Sequence, residues 1–235
     1  RKPGEDVRLY NAVKAASDFA IALGINIPTG KDSLSMTQKY DDGAEVFAPG
    51  TVIISAAGEV TDFRKTVSPA LQAVPGSRML YIPMTGVPFR LGGSSFAQSL
   101  NSLGNDTPAV PDAAAFARVF ETIQQLISEG MILAGHDVSA GGLIVTLLEM
   151  CFSQPDAGMV ADTGLLADPD PVRVLFSENP ALVIQVAADS EVPQLLKSRG
   201  IAFTTLGRYE QGSEMRITHG TENWTFQISV PCVIR

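Results

Sequence analysis

Cysteine, histidine and tryptophan are scarce in this chain: two, two and one among 235 residues. Cys151 and Cys232 lie in or beside apolar runs. They do not make a disulfide scaffold and read as buried thiols of a reducing cytoplasm. Together with His136 and His219 they give no zinc-ligand spacing. Basic residues are also few, with 17 Lys and Arg against 25 Asp and Glu, a net charge of −8 and no basic run. A polyanion would meet net repulsion, which excludes nucleic acid and an anionic membrane surface as partners but not a small anion in a local pocket. No apolar run approaches the ~20 residues that span a bilayer, and no signal peptide is recognisable.

What is present is an ordinary globular composition, 45% hydrophobic. Area scaling gives burial of about 70% of the extended chain's surface, enough for one large domain or two modest ones. The chain begins Arg1-Lys2-Pro3 and ends on Arg235 just past a strand-like run. The expectation is a piece of a longer chain.

Val7, Tyr10, Val13, Ala16, Ala20 and Leu23 recur at three and four residues, which predicts a helix over 5–23 closed by Gly24. Short strands are expected at 35–39 and, from the β-branched run, at 51–60. The pattern weakens between Arg64 and Ser77, where Pro69, Pro75 and Gly76 fall, so a domain boundary is expected near residue 68. Beyond it the pattern predicts a strand at 79–84, a short helix after Ser94, and a helix through Glu129 with Asp112 as its N-cap. A strand at 131–134, a helix at 143–152 and a long loop over 153–171 follow. A strand at 182–187, a helix at 191–199 and strands at 203–209, 214–218 and 224–230 complete the pattern. The mixture of βαβ units with a terminal meander predicts an α+β, layered α/β fold with a mixed sheet.

Gly135-His136-Asp137-Val138-Ser139-Ala140-Gly141-Gly142 carries the clearest chemistry. Free N–H groups at a helix start, with glycines that allow close approach, suit an anion. Asp137 repels phosphate unless a divalent cation lies between them, and Mg²⁺ takes one or two carboxylates with phosphate oxygens and water. The turn therefore reads as a metal–phosphate site. Its ordinary alternative is a helix capped by Asp137 or Ser139. A hydrolase triad is rejected, because neighbours in one turn cannot line up as nucleophile, base and orienter. His219, in a polar turn, is expected at the surface.

Thr29-Gly30-Lys31-Asp32-Ser33 imitates the end of a Walker A loop, but Gly24 and Gly30 are separated by five residues instead of four and Asp32 follows the lysine. It is either a charged turn or a place where Lys31 or Ser33 reaches phosphate. Leu91-Gly92-Gly93-Ser94-Ser95 either holds an anion or permits tight packing. Phe176-Ser177-Glu178-Asn179-Pro180 reads either as a turn before a buried strand or, if a pocket lies beside it, as a place where Glu178 binds a ligand.

PGEDVRLYNAVKA at 3–15, PTGKDSLSM at 28–36, LGGSSFAQ at 91–98, GHDVSAGGLIVTLLEM at 135–150 and LFSENPALVIQV at 175–186 resemble, in order and spacing, the large single-chain phosphoribosylformylglycinamidine synthases. HD-x-S-x-GGL alone marks only the wider superfamily of aminoimidazole ribonucleotide (AIR) synthetase. The resemblance implies the end of an AIR-synthetase-like N-type domain over 1–68 and a C-type domain over 69–235. It further implies the remaining synthase and glutaminase domains elsewhere in the same chain, with ATP and Mg²⁺ as cofactors and a small ribonucleotide as substrate. It carries Mg²⁺ binding to Asp137, nucleotide contact to Ser139, Gly30 and Lys31, and substrate contact to Ser33. Glu178 receives no role, because many relatives have Asn-Glu-Glu-Leu where Ser177-Glu178-Asn179-Pro180 stands here. A pseudo-symmetric nucleotide site that serves as structure is the alternative for Asp137 and Ser139. The piece by itself is expected to be inactive and to self-associate through residues 1–68.

Overall fold

The computed structural model describes residues 3–31, 36–48, 50–152, 154 and 156–228. Ser33 and Cys232, and with them the expected substrate contact and one expected thiol, lie outside the described residues. The chain divides into two units, one ending at Thr61 and the next beginning at Asp62.

In the first unit α1 (Glu5–Leu23) forms where its periodicity predicts. Glu5 and Asp6 in the first turn complement the helix dipole, and Gly24 closes the last turn by donating to the Ala20 and Ile21 carbonyls. None of its residues is buried. β1 (Thr37–Lys39) pairs with β2 (Glu45–Phe47), a hairpin with Lys39 opposite Glu45 and an ion pair of 2.9 Å between them. The strand expected at 51–60 does not form. Among the described residues nothing ladders with this run, and Ile53 stays 86% exposed. Without a partner, β-branched composition alone does not make a strand.

The second unit is built on a seven-stranded sheet. Its strands are β3 (Arg78–Pro83), β4 (Ala134–Asp137), β5 (Ala157–Asp162), β6 (Ala181–Val186), β7 (Thr204–Gln211), β8 (Glu214–His219) and β9 (Glu222–Gln227). Their order across the sheet is β4-β6-β3-β7-β5-β8-β9. Every pairing is antiparallel except β5 with β8. The sheet is thus mixed, as expected.

Helices cover both faces. Met79 and Tyr81 of β3 and Val183 of β6 bury against α4 (Gly142–Phe152) and α5 (Pro171–Phe176), through Leu143, Leu147, Met150 and Val174. Leu80, Ile82, Ile184 and Val186 bury on the opposite face against α3 (Ala113–Ser128) and α6 (Val192–Ser198), through Val119, Ile123, Leu126 and Leu196. A strand with helices on both faces has no solvated side, which is why β3 and β6 read as nearly continuous apolar runs. α2 (Ser95–Ser99) is a short helix capped by the Ser94 hydroxyl.

Three expectations for this unit need correction. The strand after α3 is β4 at Ala134–Asp137, three residues later than expected, because its partners are Gln185 to Leu182 of β6. His136 and Asp137 therefore end a strand instead of opening a turn. The expected loop over 153–171 contains β5 and ends where α5 begins. Gly158, inside β5, lets the Glu214 and Glu210 carbonyls approach, and a Cβ there would lie 2.5 Å from the first. α5 starts at an Asp170 cap with Pro171 at its first position, a pattern visible in the sequence. His219 is 6% exposed, not a surface histidine. It takes the inward position after Met215 and Ile217 on β8, and its Nδ1 lies 3.2 Å from Thr163 Oγ1.

Candidate functional site

β4 forms one edge of the sheet, and the chain leaves it at Asp137. Val138 is still tied to the sheet, its N–H donating to the Ala181 carbonyl at 2.8 Å. Ser139 to Gly141 then turn the chain into α4, closed by Gly142 N–H to the Ser139 carbonyl at 3.0 Å. The Thr146 hydroxyl, one turn into α4, donates back to the Asp137 carbonyl at 3.1 Å. The strand end, the turn and the first turn of α4 are thus tied together by backbone and hydroxyl bonds.

This leaves two side chains facing outward. Asp137 is 67% exposed and Ser139 is exposed. Among the described residues neither side chain caps α4. The capping alternative is not what these two side chains do here. His136 sits between two carboxylates, with Nε2 2.9 Å from Glu149 Oε2 and Nδ1 3.3 Å from Asp137 Oδ1. Glu149 lies on α4 and gave no signal in the sequence beyond its place on an otherwise apolar helix.

No group of three or more His, Cys, Asp and Glu side chains among the described residues forms a cage for a metal ion. Asp137 offers one exposed carboxylate. That donor set suits Mg²⁺ shared with phosphate oxygens and water, and does not suit zinc or calcium held by protein alone.

Glu178 is the residue to which the sequence assigned no role. It stands between α5 and β6, and its Oε1 accepts from Gly141 N–H at 2.9 Å and from Ser95 N–H at 2.8 Å. The glycine turn before α2 is otherwise self-satisfied. Gly92 N–H donates to Asp106, Gly93 N–H to Leu103 and Ser94 N–H to Leu91. A Cβ on Gly92 would lie 2.6 Å from the Asp106 backbone. This turn serves packing, with its first amides committed inside the protein.

Gly30 and Lys31 belong to the first unit, in an exposed irregular segment where a Cβ on Gly30 would meet nothing within 4 Å. Cys151, the cysteine among the described residues, is buried, and burial pushes its thiol up to about 12. That thiol is inert at neutral pH. No helix among the described residues is long and apolar enough to cross a membrane.

Comparison with known proteins matches the chain in two segments. Residues 1–59 match the family model of the FGAR-AT PurM_N-like domain. Residues 75–220 match that of the AIR synthase related protein, C-terminal domain. Among solved structures, T. maritima PurL complexed with FGAR superposes with a TM-score of 0.59 at 12% identity, over 89% of this chain and 35% of that one. T. maritima PurL complexed with ATP gives 0.54 at 14% identity, over 70% and 27%. These likenesses establish the fold, and the chain spans about a third or less of those proteins' length. With most of its length matched by one of these models, the chain belongs to the family of AIR synthase related proteins, carrying their C-terminal domain behind an FGAR-AT PurM_N-like domain.

Proposed function

We propose that this chain is part of an ATP-dependent synthase core that converts formylglycinamide ribonucleotide and glutamine-derived ammonia to the amidine. The observation that carries the reading is the turn from β4 into α4. It presents one exposed carboxylate, Asp137, and one exposed hydroxyl, Ser139, on a backbone held by β6 and Thr146. The order of the two matched domains supports it. On this reading residues 1–68 end an N-type domain and 69–235 form a C-type domain.

In the reaction, ATP phosphorylates the substrate's amide oxygen. Ammonia then adds to that carbon and phosphate leaves. Bound Mg²⁺ would neutralise phosphate charge. The chain's own part is to hold and orient: in the second unit, Asp137 toward the metal and Ser139 toward the nucleotide. In the first unit, the family resemblance carries nucleotide contact to Gly30 and Lys31. Ser33 would meet the ribonucleotide. Lys31, while charged, meets phosphate directly instead of metal. Such positioning of charge is the main physical task in phosphoryl transfer. The 235 residues contain no glutaminase nucleophile motif, so the chain alone should not catalyse the overall conversion.

The test is Asp137→Asn in the full-length protein, with turnover and thermal stability in Mg-ATP both measured. A fall in kcat with the melting temperature held supports a turnover site. Loss of nucleotide-dependent stability with kcat held supports a nucleotide retained as structure, a bound ligand at a hundredfold its Kd being worth about 2.7 kcal/mol. No change in either refutes the reading.

A further inference from the structure

Glu178 joins two turns that are far apart in the sequence. Its single oxygen Oε1 takes the N–H of Gly141, at the threshold of α4, and of Ser95, the first residue of α2. The segment around it is anchored in the same direction. The Asn179 side chain accepts from Arg90 N–H at 3.1 Å and donates to the Pro88 carbonyl at 2.8 Å. Arg173 donates to the Phe89 carbonyl at 2.6 Å. The Phe96 and Phe176 rings stack with centroids 4.7 Å apart. The side-chain hydrogen bonds of Asn179 go to the 87–90 loop, and Arg173 reaches the same loop and the Asp168 carboxylate at 3.4 Å. Glu178 alone also reaches the turn that carries Ser139.

Two amides on one oxygen favour a carboxylate, whose bonds to N–H donors are stronger than those of a neutral acceptor. Serving only to end a turn would need neither the charge nor two donors from elements 37 and 83 residues away. We infer that Glu178 is a positioning residue: it fixes the Ser139–Gly142 turn against the 91–95 loop and thereby sets where Asp137 and Ser139 meet a nucleotide. The inference rests on the nucleotide reading proposed above.

The experiment uses the full-length protein and compares E178A with E178Q, since glutamine's Oε1 can still accept both amides. Mg-ATP affinity is measured by calorimetry, and amide exchange is followed in segments 93–97 and 139–143. E178A should raise exchange in both segments while β3 and β6 keep theirs, and should weaken Mg-ATP by roughly tenfold or more, ~1.4 kcal/mol. E178Q should stay within about threefold of wild type, keeping both bonds without their charge. Should E178A fail to fold, E178D replaces it, its carboxylate one methylene short of both amides, with the same expectation. Equal affinity of E178A and wild type overturns the inference, as does unchanged exchange at 139–143. Tighter binding by E178Q also overturns it, because the carboxylate would then be competing with phosphate. A wild-type protein that binds no Mg-ATP overturns the nucleotide reading itself, whatever the exchange shows.

Discussion

Replacing Gly142 by alanine probes the foundation of the candidate site. Gly142 opens α4 at φ +77, and a Cβ there would lie 2.7 Å from the Leu175 carbonyl oxygen and from the Phe176 carbonyl carbon. The left-handed conformation costs an alanine roughly 1–2 kcal/mol. Ordinary van der Waals separation is about 3.5 Å or more, so one backbone must move by about 0.8 Å. Neither can do so freely, since Leu175 and Val174 are core residues. Overpacking of this kind costs typically about 1–3 kcal/mol. The combined loss of about 2–5 kcal/mol should lower the melting temperature by about 5–15 °C in a unit of this size. Gly130 is the control: its φ is +70, but its Cβ would meet nothing within 4 Å. Gly130→Ala should lose only the conformational part, about 1–2 kcal/mol. Calorimetric scans of the two variants side by side measure the difference. Equal losses would show that the approach of the α4 turn to α5 does not constrain Gly142, and the argument would fail.

Gln185, fully buried, accepts from Gln72 N–H at 2.8 Å and donates to the Gln72 carbonyl and Ser77 Oγ at 2.7 Å. Gln185→Leu strands these groups and should cost about 2–5 kcal/mol in urea unfolding at unchanged m-value; a loss below about 0.5 kcal/mol contradicts the burial argument. Cys151 should resist thiol reagents in the native protein at pH 8 and react on unfolding, and rapid native labelling would refute its placement. Its folded pKa is raised, so the unfolded thiol ionises first. The stability this contributes is complete below about pH 9 and is lost as pH rises toward 12. Val7, Tyr10, Val13, Ile53 and Ile54 are all more than half exposed in the first unit, so the 235-residue chain should associate with rising concentration. A strictly monomeric sedimentation profile at high concentration would contradict this.

Legibility in the sequence followed the physics of each segment. α3 was readable because the Asp112 cap, the apolar spacing from Phe116 to Leu126 and Gly130 all point the same way. β3 and β6 were readable because strands buried on both faces are apolar at most positions, with Gln185 the buried polar exception in β6. β5 was not, since a glycine that admits two neighbouring carbonyls looks the same in sequence as a glycine in a loop. The run 51–60 misled in the opposite sense: propensity was present and a partner was not. At the candidate site, Asp137 and Ser139 stood out as candidates because chemistry-bearing residues sat beside glycines at a strand-to-helix junction. The roles of Glu178 and Glu149 were not legible, because their meaning lies in what they reach across the fold. Glu178 finds Ser95 and Gly141, and Glu149 finds His136, only once the sheet has brought α4, α5 and β4 together.

The most direct test of the central claim is calorimetric titration of Mg-ATP into the full-length protein, wild type against Asp137→Asn, repeated without the metal. An exposed carboxylate that shares Mg²⁺ with phosphate predicts binding that needs the metal in the wild type. It also predicts affinity weaker by at least roughly tenfold, ~1.4 kcal/mol, in Asp137→Asn. Equal affinities for the two proteins, with metal present, would contradict the assignment of the β4–α4 turn as a metal–nucleotide site.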